Sequence, residues 1–508
     1  MFSTMRFDVD GIFEIKRYCL AARIGKIRTK SGFLETPYLF PVIDTRRQFV
    51  STQELNELGF KGLITNSYLL FKRKEIVDDI HVYLNHDGVV MTDSGGYQIL
   101  EFGQVNASQE EIIGFQEKIN VDIAVILDVP TGSNANYAKA FESVQSTLNN
   151  AQTSIKLRTR EDILWVGPIQ GGEYLDLVKV CTQRLSSLPF HILALGSPTE
   201  FLERYNYEKV LQMIYTVKLN APPSRPIHLF GAGHPAILPF FVALGVDLFD
   251  SASYALYARD DRYLTSLRTY RLDDIYEFPC KCDVCRKFSP KELRSLNKDN
   301  RRRLLAKHNI FVLAQEMAII KQAIYHGTLW DLIQSKAHYH PALFRAFKFL
   351  INHKRYLSKY AYLNGMGRSG LFVLDHERPE LLSIKKRIKE HMLQNHSIKK
   401  IAIINGQKIS SIHELYKKIN QIVNEFKTIL IFNPLIGLIP FELSEIYPLY
   451  QLDVENSVSL KRAALNSINF LKRINVEEIY VDDELLLNLF RKTFHAKVQL
   501  LTKHNNSN

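Results

Sequence analysis

Eight short apolar runs alternate with longer amphipathic stretches between Tyr38 and Ser251, polar residues close most of those runs, and three clustered cysteines follow the last. Together these predict an α/β fold, a TIM (β/α)8 barrel carrying an inserted Cys3His zinc subdomain and followed by a small α+β C-terminal region. An open doubly wound sheet produces the same alternation, so periodicity alone leaves both architectures standing. The count favours the barrel, because eight strands is the number that closes one. The runs are YLFPVI (38–43), GLITNSY (62–68), VVMTDSG (89–95), DIAVILDV (122–129), ILWVGPI (163–169), HILALG (191–196), IHLFGA (227–232) and DLFDS (247–251).

Most of the runs end in residues suited to chemistry. Asn66, Asp93, Asp128, Gln170, His234 and Asp250 follow or close apolar runs, and in a barrel they converge on one mouth. Asp93-Ser94-Gly95-Gly96 lets backbone approach a ligand closely, although the same four residues also make an ordinary turn. Gln170-Gly171-Gly172 and Leu195-Gly196-Ser197 have the same form. Asp128 and Asp250 are carboxylates set in or just after continuous apolar sequence, where desolvation is costly unless the charge is used or paired. A salt bridge answers for any one of them; three acids at the ends of strands three, four and eight are more than structure alone requires.

After the eighth run, Cys280, Cys282, Cys285 and His308 form the pattern C-x-C-x2-C-x22-H. Thiolates and an imidazole are preferred zinc ligands, and four of them with no open position make a structural site. The cysteines carry that reading; spacing does not choose His308 over His326. Cys19 and Cys181 stand alone and are expected to be buried apolar residues. The expected domains are residues 1–363, a barrel with the zinc region at about 278–310, and residues 364–508, an accessory region of two small α/β modules. The Gly-rich joint Asn364 to Gly370 marks the boundary, and KHNNSN at the end reads as a frayed tail.

Composition narrows the class. With 508 residues, 46% hydrophobic and 23% charged, the chain is neither disordered, collagen-like nor a disulfide scaffold. The longest apolar stretch, Ile429 to Leu443, holds Asn433, Pro434 and Pro440 and falls short of the roughly 20 residues of a membrane helix. The N-terminus lacks a signal-peptide pattern, and a cytoplasmic enzyme is expected. A net charge of +12 favours an anionic partner, nucleic acid first. Between Arg286 and Lys307 the only acids are Glu292 and Asp299; a second patch from Arg345 to Tyr360 interleaves cations with aromatic rings, and Lys385, Lys386, Arg387 and Lys389 extend it.

Asp93-Ser94-Gly95-Gly96-Tyr97-Gln98, Gln170-Gly171-Gly172, Leu195-Gly196, Gly245 to Ser251 and the Cys3His pattern resemble, in order and spacing, the tRNA-guanine transglycosylases. The match covers about residues 10 to 320, and Phe230 to Pro235 and Ser251 to Ala255 are similar to the archaeal, archaeosine-forming branch. The resemblance implies a pentosyltransferase with one structural Zn2+ per chain. It exchanges guanine at position 15 of the tRNA D-arm for 7-cyano-7-deazaguanine through a covalent ribosyl-aspartate. It also implies Asp250 as nucleophile and Asp93 as general acid/base, with the reverse assignment as the alternative, and base contacts from Ser94, Asp128, Gln170, Ala194, Leu195 and Gly196. Family members pair through the zinc region, so a homodimer is expected. Longer archaeal members end in a PUA domain with no evident equivalent before Asn508, which implies a separate PUA-containing partner or more salt-sensitive tRNA binding. A non-catalytic tRNA-binding paralogue or an amidotransferase on the same scaffold are the rival readings. The presence of both Asp93 and Asp250 counts against the first, and the complete base-exchange set against the second.

Overall fold

The computed structural model describes residues 11–75, 77–96, 107–361, 378–394, 399–443, 460–474, 476–492 and 497–501. Tyr97 and Gln98, the Gly-rich joint and the KHNNSN tail lie outside them. The chain divides into two compact units, Met1–Leu350 and Ile351–Asn508.

The first unit begins with an antiparallel meander, β1 (Phe13–Cys19), β2 (Ala22–Thr29) and β3 (Gly32–Thr36). Eight parallel strands follow: β4 (Tyr38–Pro41), β5 (Gly62–Asn66), β6 (Val89–Asp93), β7 (Ile123–Val125), β8 (Leu164–Ile169), β9 (Ile192–Leu195), β10 (Ile227–Leu229) and β11 (Leu248–Ser251). Their order runs β4-β11-β10-β9-β8-β7-β6-β5, and the circle closes where Val42 bridges Ile64 just beyond β4. The eight apolar runs are these eight strands, and the fold is a TIM-like α/β barrel. β4, β8, β9, β10 and β11 are buried at every residue, as expected of strands covered by side-chain layers inside and helices outside. The fourth run is only partly strand: β7 stops at Val125, so Asp128 stands on irregular chain beyond it.

Local sequence sets the helix starts. Ser51 with Glu54, Ser108 with Glu111 and Ser289 with Glu292 form reciprocal capping boxes, each satisfying two backbone or side-chain donors at a helix entrance. The two ends of the barrel differ in chemistry. At the amino ends Asp247 is fully buried and accepts from Arg23 Nε at 2.8 Å and from Ile227 N at 2.8 Å, which fastens the meander beneath the barrel. That pairing is structural. The carboxyl ends carry the acids described below.

Beyond β11 come a hairpin, β12 (Arg262–Leu264) with β13 (Thr269–Arg271), and the cysteine segment. The 29-residue helix Lys298–His326 then packs against the helix Ser253–Arg259 that follows β11. The second unit holds one five-stranded sheet in the order β16-β15-β14-β17-β18, with β14 (Lys400–Asn405), β15 (Ile429–Asn433), β16 (Gly437–Pro440), β17 (Glu478–Val481) and β18 (Lys497–Leu500). Only β16 runs antiparallel to its neighbour. Ile401 to Ile404 and Ile429 to Phe432 form the centre of its core. Among the described residues no helix is long and apolar enough to cross a membrane.

Candidate active site

The carboxyl ends of the barrel strands surround a cavity of about 590 Å³, lined by Asp93, Asp128, Gln170, Gly196, Phe230 and Asp250 among others. The three expected carboxylates therefore share one space. Asp93 ends β6 beside Asn66 at the end of β5, and Asn66 Nδ2 donates to its Oδ2 at 3.3 Å. The Asn66 side chain also accepts from Leu69 N, capping the helix Ser67–Lys72, so the amide is held from its other end. Burial, then the negative charges of Asp128 and Asp250, push the Asp93 carboxyl up to about 7, against hydrogen bonds from Gly95 and Ser94 N–H.

Asp128 is pushed up to about 6 by burial, opposed by its hydrogen bond from Gln170 Nε2 at 2.5 Å. Gln170 is itself fixed: its Oε1 accepts from Thr131 N at 3.1 Å and from Ser197 Oγ at 2.9 Å. Two glycines make room for this pair. A Cβ on Gly96 would lie 2.1 Å from Asp128 Oδ1, and one on Gly196 would lie 2.2 Å from Gln170 Nε2. Ala194 and Leu195 are buried in β9, and Gly196 N donates to Ile169 O at 2.9 Å, so Gly196 can meet a ligand through its carbonyl oxygen. Ser94 Oγ is buried with no hydrogen-bond partner.

Asp250 lies in β11. Its Oδ1 accepts from His228 Nε2 at 2.8 Å and from Gly231 N at 3.1 Å, and its Oδ2 has no such donor among the described residues. Because a carboxylate oxygen only accepts here, His228 carries its proton on Nε2. The imidazole is fully buried, stacked on Phe40 at 6.1 Å and tilted against Phe230 at 4.6 Å, and its Nδ1 has no partner. Sequence reasoning passed over His228, which reads as one letter inside the apolar run IHLFGA. Its position one residue before a strand end is the only signal. His234 also lines the cavity, but burial, then Lys336 and His340, hold it down to about 4, and it pairs with Thr269 Oγ1 at 3.2 Å.

A second cluster lies beside the barrel. Cys280, Cys282, Cys285 and His308 each bring one ligand atom within 4.8 Å of the others, and His308 rather than His326 completes the group. His308 Nε2 donates to Leu264 O at 2.8 Å, which leaves the Nδ1 lone pair facing the sulfurs. Its ring stacks on Tyr263 at 3.8 Å. Three soft donors and an oriented imidazole fit zinc binding. Cys19 and Cys181 are buried, unbridged thiols, as expected. The basic run is less available than sequence implied: Arg301 pairs with Asp261, Arg302 with Arg259 O, and Arg303 with Glu54.

A closed parallel barrel with carboxylates gathered at its carboxyl mouth, and a cysteine-rich metal-type cluster attached after the last strand, defines the class as a TIM-barrel enzyme. The family model described as queuine tRNA-ribosyltransferase matches residues 19–342. The chain is 43% identical over 486 residues to a tRNA-guanine(15) transglycosylase of Saccharolobus solfataricus, covering 92% of this chain and 96% of that protein. It is 42% identical over 460 residues to one of Pyrobaculum aerophilum, covering 89% and 92%, and 37% identical over 509 residues to one of Methanocaldococcus jannaschii, covering 96% and 76%. The chain belongs to the queuine tRNA-ribosyltransferase family and is a pentosyltransferase.

Proposed function

We propose that the protein exchanges guanine at position 15 of the tRNA D-arm for 7-cyano-7-deazaguanine, through a ribosyl ester on Asp250. The observation that carries this reading is that Asp93 and Asp250 line one cavity, in a chain whose relatives over most of its length are named tRNA-guanine(15) transglycosylases. With Oδ1 held by His228 and Gly231, Asp250 presents Oδ2 to the ribose C1′. The C1′–Oδ2 bond forms as the glycosidic bond to guanine breaks, and Asp93 gives its proton to the departing base. The incoming base then attacks C1′, its N9 proton passes to the Asp93 carboxylate, and Asp250 leaves. Two inversions return the original configuration. A carboxyl pushed up to about 7 holds and accepts a proton near neutrality, as both half-reactions require.

Asp128 and Gln170 supply an acceptor and donors for the edge of a guanine-like base, with Ser94 Oγ and the Gly196 carbonyl beside them, a set that disfavours adenine. The base must leave the tRNA stack to enter. Cys280, Cys282, Cys285 and His308 would hold one structural Zn2+, whose contribution is to tie the cysteine loop to the helix Lys298–His326. The same reading includes a cytoplasmic location and pairing of two copies through the zinc region. The test is incorporation of labelled guanine into unmodified tRNA. Wild type should incorporate, and Asp250→Asn should lose about three orders of magnitude or more. A tRNA adduct should map by mass to Asp250. An adduct on Asp93 would reverse the two roles, and no incorporation by wild type would remove the reading.

A further inference from the structure

The second unit contains a pocket that nothing in the exchange reaction uses. It is a cavity of about 230 Å³ between the helices Pro379–Gln394 and Leu460–Arg473, floored by the turn from Pro434 to Leu438. Lys385 and Lys389 stand one helical turn apart on its wall, and Asn466 and Ser467 face it from the other helix. No acid lines it. Two like charges at this spacing repel each other, so the arrangement costs the apo protein stability. Burial, then the positive charges of Lys389, Lys354 and Arg462, hold the Lys385 ammonium below its ordinary value. The acid nearby in sequence, Glu390, pairs instead with Lys386 at 3.7 Å.

Ser467 gives an independent sign of a ligand. It is 5% exposed, lines the pocket, and its Oγ is buried without a hydrogen-bond partner. Gly437, whose φ of +98° favours glycine, brings the turn up beside that Oγ. A helical serine normally bonds back to a carbonyl or to water, and leaving a buried hydroxyl unpaired is costly. Two ammonium groups and a hydroxyl donor around a small opening match a tetrahedral dianion or diester better than a flat carboxylate, since donors approach from opposite walls.

We propose that this pocket binds one phosphodiester of the tRNA backbone; the inference rests on the tRNA reading above. The experiment is binding of an unmodified tRNA transcript to the full-length chain across a salt series, for wild type, Lys385→Gln/Lys389→Gln and Ser467→Ala. The double variant should bind about tenfold more weakly at moderate salt, and the slope of log affinity against log salt should fall by about one unit. Ser467→Ala should weaken binding a few-fold with the slope unchanged. Without tRNA the double variant should melt at a higher temperature than wild type, because a repulsion has been removed; a folding defect would lower it. Replacing chloride by inorganic phosphate at constant ionic strength should weaken wild type and leave the double variant unaffected. Wild-type affinity and slope in the double variant, with guanine exchange intact, overturn the pocket alone. A melt raised by inorganic phosphate without any effect of the lysines on tRNA binding assigns the pocket to free phosphate and equally overturns it. Wild type that neither binds nor exchanges removes the functional reading and the pocket with it.

Discussion

His228 and Gly231 together fix which oxygen of Asp250 is held and, on the proposed reading, which one is left to react. With Oδ1 held by His228 Nε2 and Gly231 N, rotation of the carboxylate would sacrifice both bonds. His228→Phe should keep the ring volume and remove one of them. Its expected effect is a fall in kcat for guanine exchange of about 10- to 100-fold with KM for tRNA unchanged, the value of a hydrogen bond to a charged group. An equal rise in KM would assign His228 to binding instead. Asp93 carries a consequence for stability as well. Its proton leaves near pH 3.8 in the unfolded chain but near pH 7 in the fold, so between these values the folded state binds more protons. Stability contributed by protonated Asp93 is therefore full at low pH and lost as pH rises toward 7. Asp93→Asn should flatten the decline in melting temperature across that window relative to wild type, and a parallel decline in both would contradict the shift. The acids were readable from sequence because charge in apolar runs is conspicuous. His228 was not, since an imidazole is tolerated in a core without notice, and neither were Gly96 and Gly196 as spacers, because the atoms they make way for belong to residues distant in sequence, Asp128 and Gln170.

At the scale of elements, the barrel strands announced themselves through continuous apolar runs. Strand length was harder. The run from Asp122 to Val129 looks uniform, yet regular pairing ends at Val125, and Asp128 is positioned by Gln170 from the next strand rather than by its own. The cysteine segment is mostly short helices and loops, and its connection to the helix Lys298–His326 runs through His308. Cys285→Ser should therefore lower bound zinc from about one per chain to well under one, measured by metal analysis of the purified protein. The accompanying fall in melting temperature should be on the order of 5–10 °C, since metal binding is folding free energy for the ligands it joins. Full metal content and an unchanged melt in Cys285→Ser would show that the cluster does not hold the ion. Spacing could not choose between His308 and His326 because both lie on one helix; a buried ring with Nε2 already bonded to a carbonyl makes the choice.

For the whole molecule, sequence gave the barrel a number of strands but not a neighbour list for the second unit. There β14 pairs with β15 on one side and with the much later β17 on the other, so segments that read as separate βα pieces share one sheet. Nothing in local periodicity announces that Lys400 pairs with Glu478, because the apolar strand faces look alike whichever partner they meet. The positive charge was equally coarse as a guide: part of it is taken up by Asp261 and Glu54, and part is gathered around Ser467. The closure of the barrel has a temporal consequence. Asp250 sits on the strand that joins the circle to its beginning, with Val42 N bonded to Ser251 O and Tyr254 OH to Val42 O. A nascent chain emerging from the ribosome therefore cannot complete the cavity around Asp250 until its last barrel strand has docked on its first.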